Sequence, residues 1–242
     1  MTQAPPAIPA GLRLYAVGDI HGRADLLQTL LAKVAADAAG HPGTAKRLIY
    51  LGDYVDRGPA SKSVIDLVLD AAPPGFEVVA LKGNHEEMMH RFLDDLSVGR
   101  TWMMNGGDAT LESYGVETPS LFSGTAAFRQ AQTQFDAQLP ARHRDFLERL
   151  RTSHTAGDYL FVHAGVRPGV PLDEQRTDDL LWIRDEFLDS REDFGKVVVH
   201  GHSITFDPEL RPNRIGIDTG AYKSSQLTCL VLDGTSRQFL FT

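Results

Sequence analysis

Short apolar runs alternate with longer stretches whose apolar side chains recur every three or four positions through the first ninety or so residues. The runs Leu12–Val17, Arg47–Leu51 and Phe76–Leu81 are predicted strands. The stretch Asp25–Ala39 predicts a helix with Leu26, Leu27, Leu30, Leu31 and Val34 on one face. A second is predicted at Ser61–Leu69, with Val64, Ile65, Val68 and Leu69 turned inward, and a third from about Glu86 to Leu96. This β-α-β-α-β rhythm predicts parallel strands under covering helices, an α/β fold. Between about 97 and 157 the pattern changes. Gly99 and the pair Gly106-Gly107 interrupt it, and helices are predicted at about Thr125–Gln138 and Ala141–Arg151, with Pro140 placed to open the second. Strands then dominate, at Tyr159–Val162, Lys196–Val199, Arg214–Ile217, Leu227–Leu232 and Gln238–Phe241. With no internal repeat and no linker-like stretch, the expectation is one domain over residues 12–242 carrying a helical insertion at about 97–157. The proline-rich residues 1–11 read as a disordered tail.

Composition changes this picture little. The 242 residues, 42% hydrophobic and 23% charged, fit an ordinary globular chain. The single Cys229 excludes an internal disulfide; it sits in a strand-like run, where a buried, inert thiol is expected. No apolar run approaches the ~20 residues that span a bilayer, and the start lacks the charged and apolar regions of a signal peptide, so a cytoplasmic protein without membrane partner is expected. A net charge of −8 argues against a nucleic-acid partner. Carboxylates gathered around cations would nonetheless leave a locally positive site on an acidic protein.

The chemistry gathers where apolar runs end. Five of them stop at Gly18-Asp19-Ile20-His21-Gly22, Gly52-Asp53-Tyr54-Val55-Asp56-Arg57-Gly58, Gly83-Asn84-His85-Glu86, His163-Ala164-Gly165 and His200-Gly201-His202. Ligand sites in open α/β sheets form beyond the carboxyl ends of strands, so these loops can meet. Their mixture of carboxylate oxygen and imidazole nitrogen suits Mn, Fe or Zn better than Ca or Mg alone. Each segment taken singly has an ordinary reading: Asn84 as a helix cap, Asp53 as a turn residue, Arg57 as a surface charge. Five strand ends that all carry metal-type donors are poorly explained that way. His41, His90, His143 and His154 lie in predicted loops or exposed helix faces and are expected to be solvated. The Met88-Met89 and Met103-Met104 pairs are expected to pack, and Glu86 and Glu87 to sit favourably at a helix start without catalysis.

The strings Gly-Asp-Ile-His-Gly, Gly-Asp-Tyr-Val-Asp-Arg-Gly and Gly-Asn-His-Glu, in this order, resemble the signature of the phosphoprotein phosphatase family of serine/threonine phosphatases. His163-Ala164-Gly165 and Gly201-His202-Ser203 are similar to its two later histidine motifs, and Trp102 to Tyr114, with Asn105-Gly106-Gly107, to its bacterial and phage branch. The resemblance implies two mixed β-sheets packed as a sandwich and flanked by helices, the four-layer metallophosphoesterase fold, with two divalent metals at one edge. Asp19 and His21 would then hold the first metal, Asp53 would bridge, and Asn84, His163 and His202 would complete the second, with Mn2+ the expected ion and Fe or Zn compatible. His85 is similar to the catalytic general acid and Asp56 to the carboxylate that orients it. Arg57 matches a phosphate-binding arginine, and Arg184 resembles a second, with Arg176 a competitor. Lys82 stands where some relatives carry arginine. His200 would have at most an outer role, orienting a ligand. The implied reaction is in-line attack on phosphorus by a bridging hydroxide, and the implied partner a phosphorylated protein or small phosphoester. A symmetric dinucleoside tetraphosphatase is the competing reading, although that branch typically has asparagine where this chain has Asp56. A non-catalytic binding protein of the same fold is a third.

Overall fold

The computed structural model describes residues 4–242. Strands β1 (Leu12–Val17), β2 (Ala45–Tyr50) and β3 (Phe76–Ala80) run parallel, connected through α1 (Ala24–Ala39) and α2 (Ser61–Asp70). Helix α3 (Asn84–Phe92) follows β3 directly. Short α4 (Gly99–Trp102) and α5 (Asp108–Ser113) flank a π-helical segment at Met103–Gly107 that kinks at Gly106, and α6 (Thr125–Gln138) and α7 (Ala141–Arg149) come next. The remainder holds β4 (Ser153–Ala156), β5 (Tyr159–Val162), α8 (Thr177–Trp182), α9 (Asp185–Leu188), β6 (Val197–His200), β7 (Glu209–Leu210), β8 (Arg214–Gly216), α10 (Ala221–Ser224), β9 (Thr228–Asp233) and β10 (Ser236–Phe241).

These strands form two mixed five-stranded sheets, β10-β9-β1-β2-β3 and β4-β5-β6-β8-β7. Side-chain alternation shows why both are sandwiched. From β1, Leu12, Leu14 and Ala16 meet Ile49 and Leu51 and the second sheet's Tyr159, Phe161, Val197, Val199 and Ile215 in a core between the sheets. Tyr15 and Val17, one position out of phase, face α1, α2 and the helical middle segment on the other side. On the second sheet, Leu160, Val162 and Val198 turn outward against Leu180, Ile183 and Phe187 of the α8–α9 region. The layers are therefore helix, sheet, sheet, helix, the α/β sandwich that the sequence resemblance implied. Strand β1 is buried along its whole length, as a central strand is, and its one charged residue, Arg13, is paired with Asp37 and Asp233.

Five expectations need correction, the first being Leu69, which is 39% exposed at the end of α2 rather than turned inward with Val64, Ile65 and Val68. From residue 4 onward the expected disordered tail is tied down: Ile8 is buried and its N–H donates to Gly234 O at 3.0 Å, while the Asp158 N–H donates to Ala7 O at 2.9 Å. Ile8, the one buried side chain of the segment, joins the core between the sheets, and backbone hydrogen bonds to the β4–β5 and β9–β10 turns hold the rest. The expected insertion is not purely helical, because β4 falls inside it. Three of its four residues, Ser153-His154-Thr155-Ala156, are polar, as an edge strand allows, and they give no apolar run. His143 is fully buried, between Tyr114 Oη at 2.8 Å and Asp66 Oδ1 at 3.0 Å, rather than solvated. Met88, Met89 and Met103 pack into the core, but Met104 is exposed.

Candidate active site

The parallel strands β1, β2 and β3 of one sheet and β5, β6 and β8 of the other bring their carboxyl ends to one edge of the sandwich. The loops cross there at a separation that admits no side chain. A Cβ on Gly18 would lie 2.4 Å from Ile217 O, and one on Gly58 would lie 2.1 Å from His21 O. His21, Asp53, Asp56, Arg57 and His202 all adopt left-handed backbone angles, with φ between 46° and 71°. Each such residue costs about 1–2 kcal/mol, so the surrounding contacts must hold them.

Glu86 supplies one such hold. Fully buried at the start of α3, it accepts the N–H groups of Asp53 (2.9 Å), Tyr54 (2.8 Å), Val55 (3.3 Å) and Gly83 (2.9 Å). Its carboxyl thus ties the loop after β2 to the loop after β3. The sequence reading saw only a favourable charge at a helix N-terminus; no local pattern reveals donors thirty residues away.

Asp53 lies at the centre. Its Oδ2 is 3.4 Å from His21 Nε2 and 3.7 Å from His85 Nε2, and its Oδ1 is 3.4 Å from His163 Nε2. Two overlapping groups result, His21–Asp53–His85 and Asp53–His163–His202, each with donor atoms within 4.8 Å of one another. Burial disfavours the Asp53 charge, but the imidazoles of His163, His85, His21 and His202 pull its pKa down overall. Burial pushes His21 down to about 3 and His202 to about 2, and lowers His163 as well, so these rings are neutral. His21 Nδ1 lies 2.8 Å from Val55 O and His163 Nδ1 lies 2.9 Å from Leu51 O. Donation of each Nδ1–H to its carbonyl assigns the tautomer and leaves the Nε2 lone pair facing the centre.

These donors fit divalent cations. His163 Nε2 and Asn84 Oδ1 are 2.8 Å apart, two acceptors converging on one place. His202 Nε2 and Asp19 Oδ1 are buried without a hydrogen-bond partner, although Asp19 Oδ2 accepts the His202 N–H at 3.0 Å. Asp19 stands outside the two tight groups, and burial with the nearby Asp218 charge raises its pKa well above normal. Asp218, at the end of β8 and also pushed up, to about 6, belongs to this cluster and was missed from sequence. Asn84 does not cap its helix, since its side chain points to His163. His200 faces away: its Nδ1 is 3.1 Å from Gly201 O, its ring packs edge-on against Phe187, and it joins neither donor group.

His85 differs from the other imidazoles. Its Nδ1 is 2.6 Å from Asp56 Oδ2 with both groups buried. Burial opposes its charge, but Asp53 and Asp56 raise its pKa overall. Arg57 lies at the mouth, its Nη1 2.9 Å from His21 Nε2, its Nη2 3.1 Å from His85 Nε2, and its guanidinium 4.8 Å above the Tyr222 ring. Tyr222 was not singled out from sequence. On the opposite rim, exposed Arg184 reaches His202 O (3.3 Å) and Ser203 Oγ (3.4 Å), beside Trp182, which is 42% exposed and edge-on to His202. Its competitor Arg176 is 78% exposed and pairs with Asp178 at 3.7 Å. Lys82 pairs with Glu87 at 3.3 Å.

An α/β sandwich with histidines and carboxylates gathered at the strand ends defines a class, and comparison with known proteins identifies it. The model of the calcineurin-like phosphoesterases matches residues 12–225, and the chain belongs to that family of metallophosphoesterases. It is 30% identical over 228 residues to serine/threonine-protein phosphatase 2 of Salmonella typhimurium, across 89% of this chain and 90% of that protein. It is 26% identical over 234 residues to the asymmetrical bis(5'-nucleosyl)-tetraphosphatase PrpE of Anoxybacillus flavithermus, across 88% of each. A crystal structure provisionally described as a diadenosine tetraphosphatase shares the fold, with a TM-score of 0.64 at 21% identity over 98% of both chains. No helix among the described residues is long and apolar enough to cross a membrane.

Proposed function

We propose that this phosphoesterase hydrolyses phosphomonoesters, with phosphoserine and phosphothreonine of proteins as its substrate class, on a centre of two divalent cations. The observation that carries the reading is Asp53, whose two carboxylate oxygens face two separate donor groups. Asp19 and His21 would hold one cation and Asn84, His163 and His202 the other, with Asp53 shared. The donor set suits Mn2+, with Fe or Zn compatible. Such a pair would supply Lewis-acid polarisation of the phosphoryl oxygens and an acidified water for attack.

The chain's own groups do the rest. Arg57, backed by the Tyr222 ring, offers a planar N–H fork for the equatorial phosphate oxygens, and to do so it gives up its bonds to His21 Nε2 and His85 Nε2, which frees the latter nitrogen to carry a proton. Arg184 reaches in from the other rim. His85, held by Asp56, donates its Nε2 proton to the leaving oxygen. That dyad is why a monoester is preferred here to an anhydride. The alkoxide of serine or threonine is a poor leaving group and needs a proton, whereas a nucleotide leaving from a polyphosphate is stable as an anion. A second reading, hydrolysis of dinucleoside tetraphosphates, is favoured by Trp182 and Tyr222, which offer ring surface at both rims for a nucleobase. Turnover of phosphoserine and phosphothreonine peptides beside a dinucleoside tetraphosphate tests the choice. The peptides are expected to show the higher kcat/KM. A tenfold preference for the tetraphosphate, about 1.4 kcal/mol of transition-state stabilisation, would transfer the assignment to the second reading.

A further inference from the structure

Asp56 can orient His85 only if its own carboxylate is held, and the residues that hold it come from the middle segment rather than from the strand-end loops. Trp102 Nε1 donates to Asp56 Oδ1 at 3.0 Å and to Oδ2 at 2.9 Å. Thr110 Oγ1 donates to Oδ1 at 2.6 Å and accepts the Asp56 N–H at 2.8 Å, with Ser61 Oγ sharing that N–H at 3.0 Å. Together with His85 Nδ1 at 2.6 Å from Oδ2, these donors leave the carboxylate no free direction in which to turn. All four side chains are buried.

The segment between Trp102 and Thr110 is shaped for this contact. Gly106, at φ 98°, accepts the Arg57 N–H at 3.0 Å, and a Cβ there would lie 2.7 Å from Arg57 N. A Cβ on Gly107 would lie 2.6 Å from the Trp102 ring. The two glycines let α4 and α5 close over residues 56 and 57, both in left-handed conformation. Packing alone would ask for a ring at position 102, which does lie tilted against Phe92 and Phe135, but it does not account for an indole N–H and a hydroxyl aimed at one carboxylate.

We propose that Trp102 and Thr110 are positioning residues for the acid step: they clamp Asp56 so that His85 is aimed at the leaving oxygen. This rests on His85 being the general acid, and the test separates the two. In the metal-loaded protein, kcat and KM are measured for p-nitrophenyl phosphate, whose leaving group needs little protonation, and for phenyl phosphate, which needs more. For Thr110→Val, kcat on phenyl phosphate should fall about tenfold, a fraction of the 10²–10⁴ such acids supply, while p-nitrophenyl phosphate changes less than about twofold and neither KM moves. Thr110→Ser keeps the hydroxyl and should restore both. Trp102→Phe should show the same selectivity. Independently of turnover, the His85 Nδ1–H proton, buried and shared with Asp56, should give a downfield proton NMR resonance in metal-free protein that broadens in Thr110→Val and stays sharp in Thr110→Ser. Equal losses on both substrates, or an unchanged resonance, overturn the clamp, provided His85→Asn itself discriminates between the substrates. If His85→Asn does not discriminate, the general-acid reading fails and the clamp falls with it.

Discussion

Replacing Glu86 by glutamine should destabilise this protein by several kcal/mol. The carboxyl accepts four backbone N–H groups, two on each oxygen: Asp53 and Gly83 on Oε2, Tyr54 and Val55 on Oε1. Glutamine can serve one pair, but its NH2 then opposes the other, whichever way the amide is turned. Hydrogen bonds to a charged acceptor contribute about 1.5–3 kcal/mol each, so losing two predicts about 3–6 kcal/mol. A contrary pull exists, because burial and the Asp53 charge push the Glu86 pKa up to about 8. Were the group protonated at neutral pH, glutamine would replace it faithfully and cost less than about 1 kcal/mol. The donors should prevail, since a carboxylic O–H would face four N–H groups and no acceptor. Urea unfolding of the metal-free proteins at pH 7 measures the difference as a shift in midpoint at constant slope. A loss under about 1 kcal/mol would refute the carboxylate and with it the view that Glu86 holds the β2 and β3 loops together by charge.

Gly18→Ala should destabilise by about 1–3 kcal/mol or more in the same assay, because its Cβ would press on Ile217 O at 2.4 Å where the sheets meet. His202→Ala should lose about one metal equivalent and nearly all activity, whereas His200→Ala should keep both metals and lose at most about 10–100-fold, as metal analysis of the purified variants will show. Buried His200 has its pKa lowered from 6.5 to about 4, mainly by burial, so the unfolded chain takes up more protons between those values. Its neutral form therefore contributes stability that is present above pH 6.5 and lost as pH falls towards 4, on the order of 3 kcal/mol. His200→Leu should flatten that part of the stability profile of metal-free protein, and an unchanged profile would contradict the assignment. His85→Asn should lower kcat by about 10²–10⁴ on poor leaving groups with both metals retained.

Much of this site could be read from the chain because its parts follow strand ends, where a buried apolar run stops and Gly, Asp, Asn or His begins. Asp19, His21, Asp53, Asn84, His163 and His202 each carry that signal, and the structure brings them to one edge. What sequence missed acts across space. Glu86 gathers donors from a loop about thirty residues earlier, Asp218 follows a three-residue strand, and Tyr222 matters through the arginine it backs. The Trp102–Tyr114 stretch was visible as a resemblance, but its orientation towards Asp56 was not. The fold shows the same division. Strands with an apolar run announced themselves, whereas the short β4 and β7, at the two edges of the second sheet, have none. Ile8 was hidden among prolines because one apolar residue makes no period.

Metal-dependent turnover tests the central claim most directly. Protein stripped by a chelator and dialysed should hydrolyse neither a phosphothreonine peptide nor p-nitrophenyl phosphate. Titration with Mn2+ should then restore activity, saturating at about two equivalents per chain as the shared Asp53 requires. Full turnover by the metal-free protein, or saturation at a single equivalent, would contradict the account.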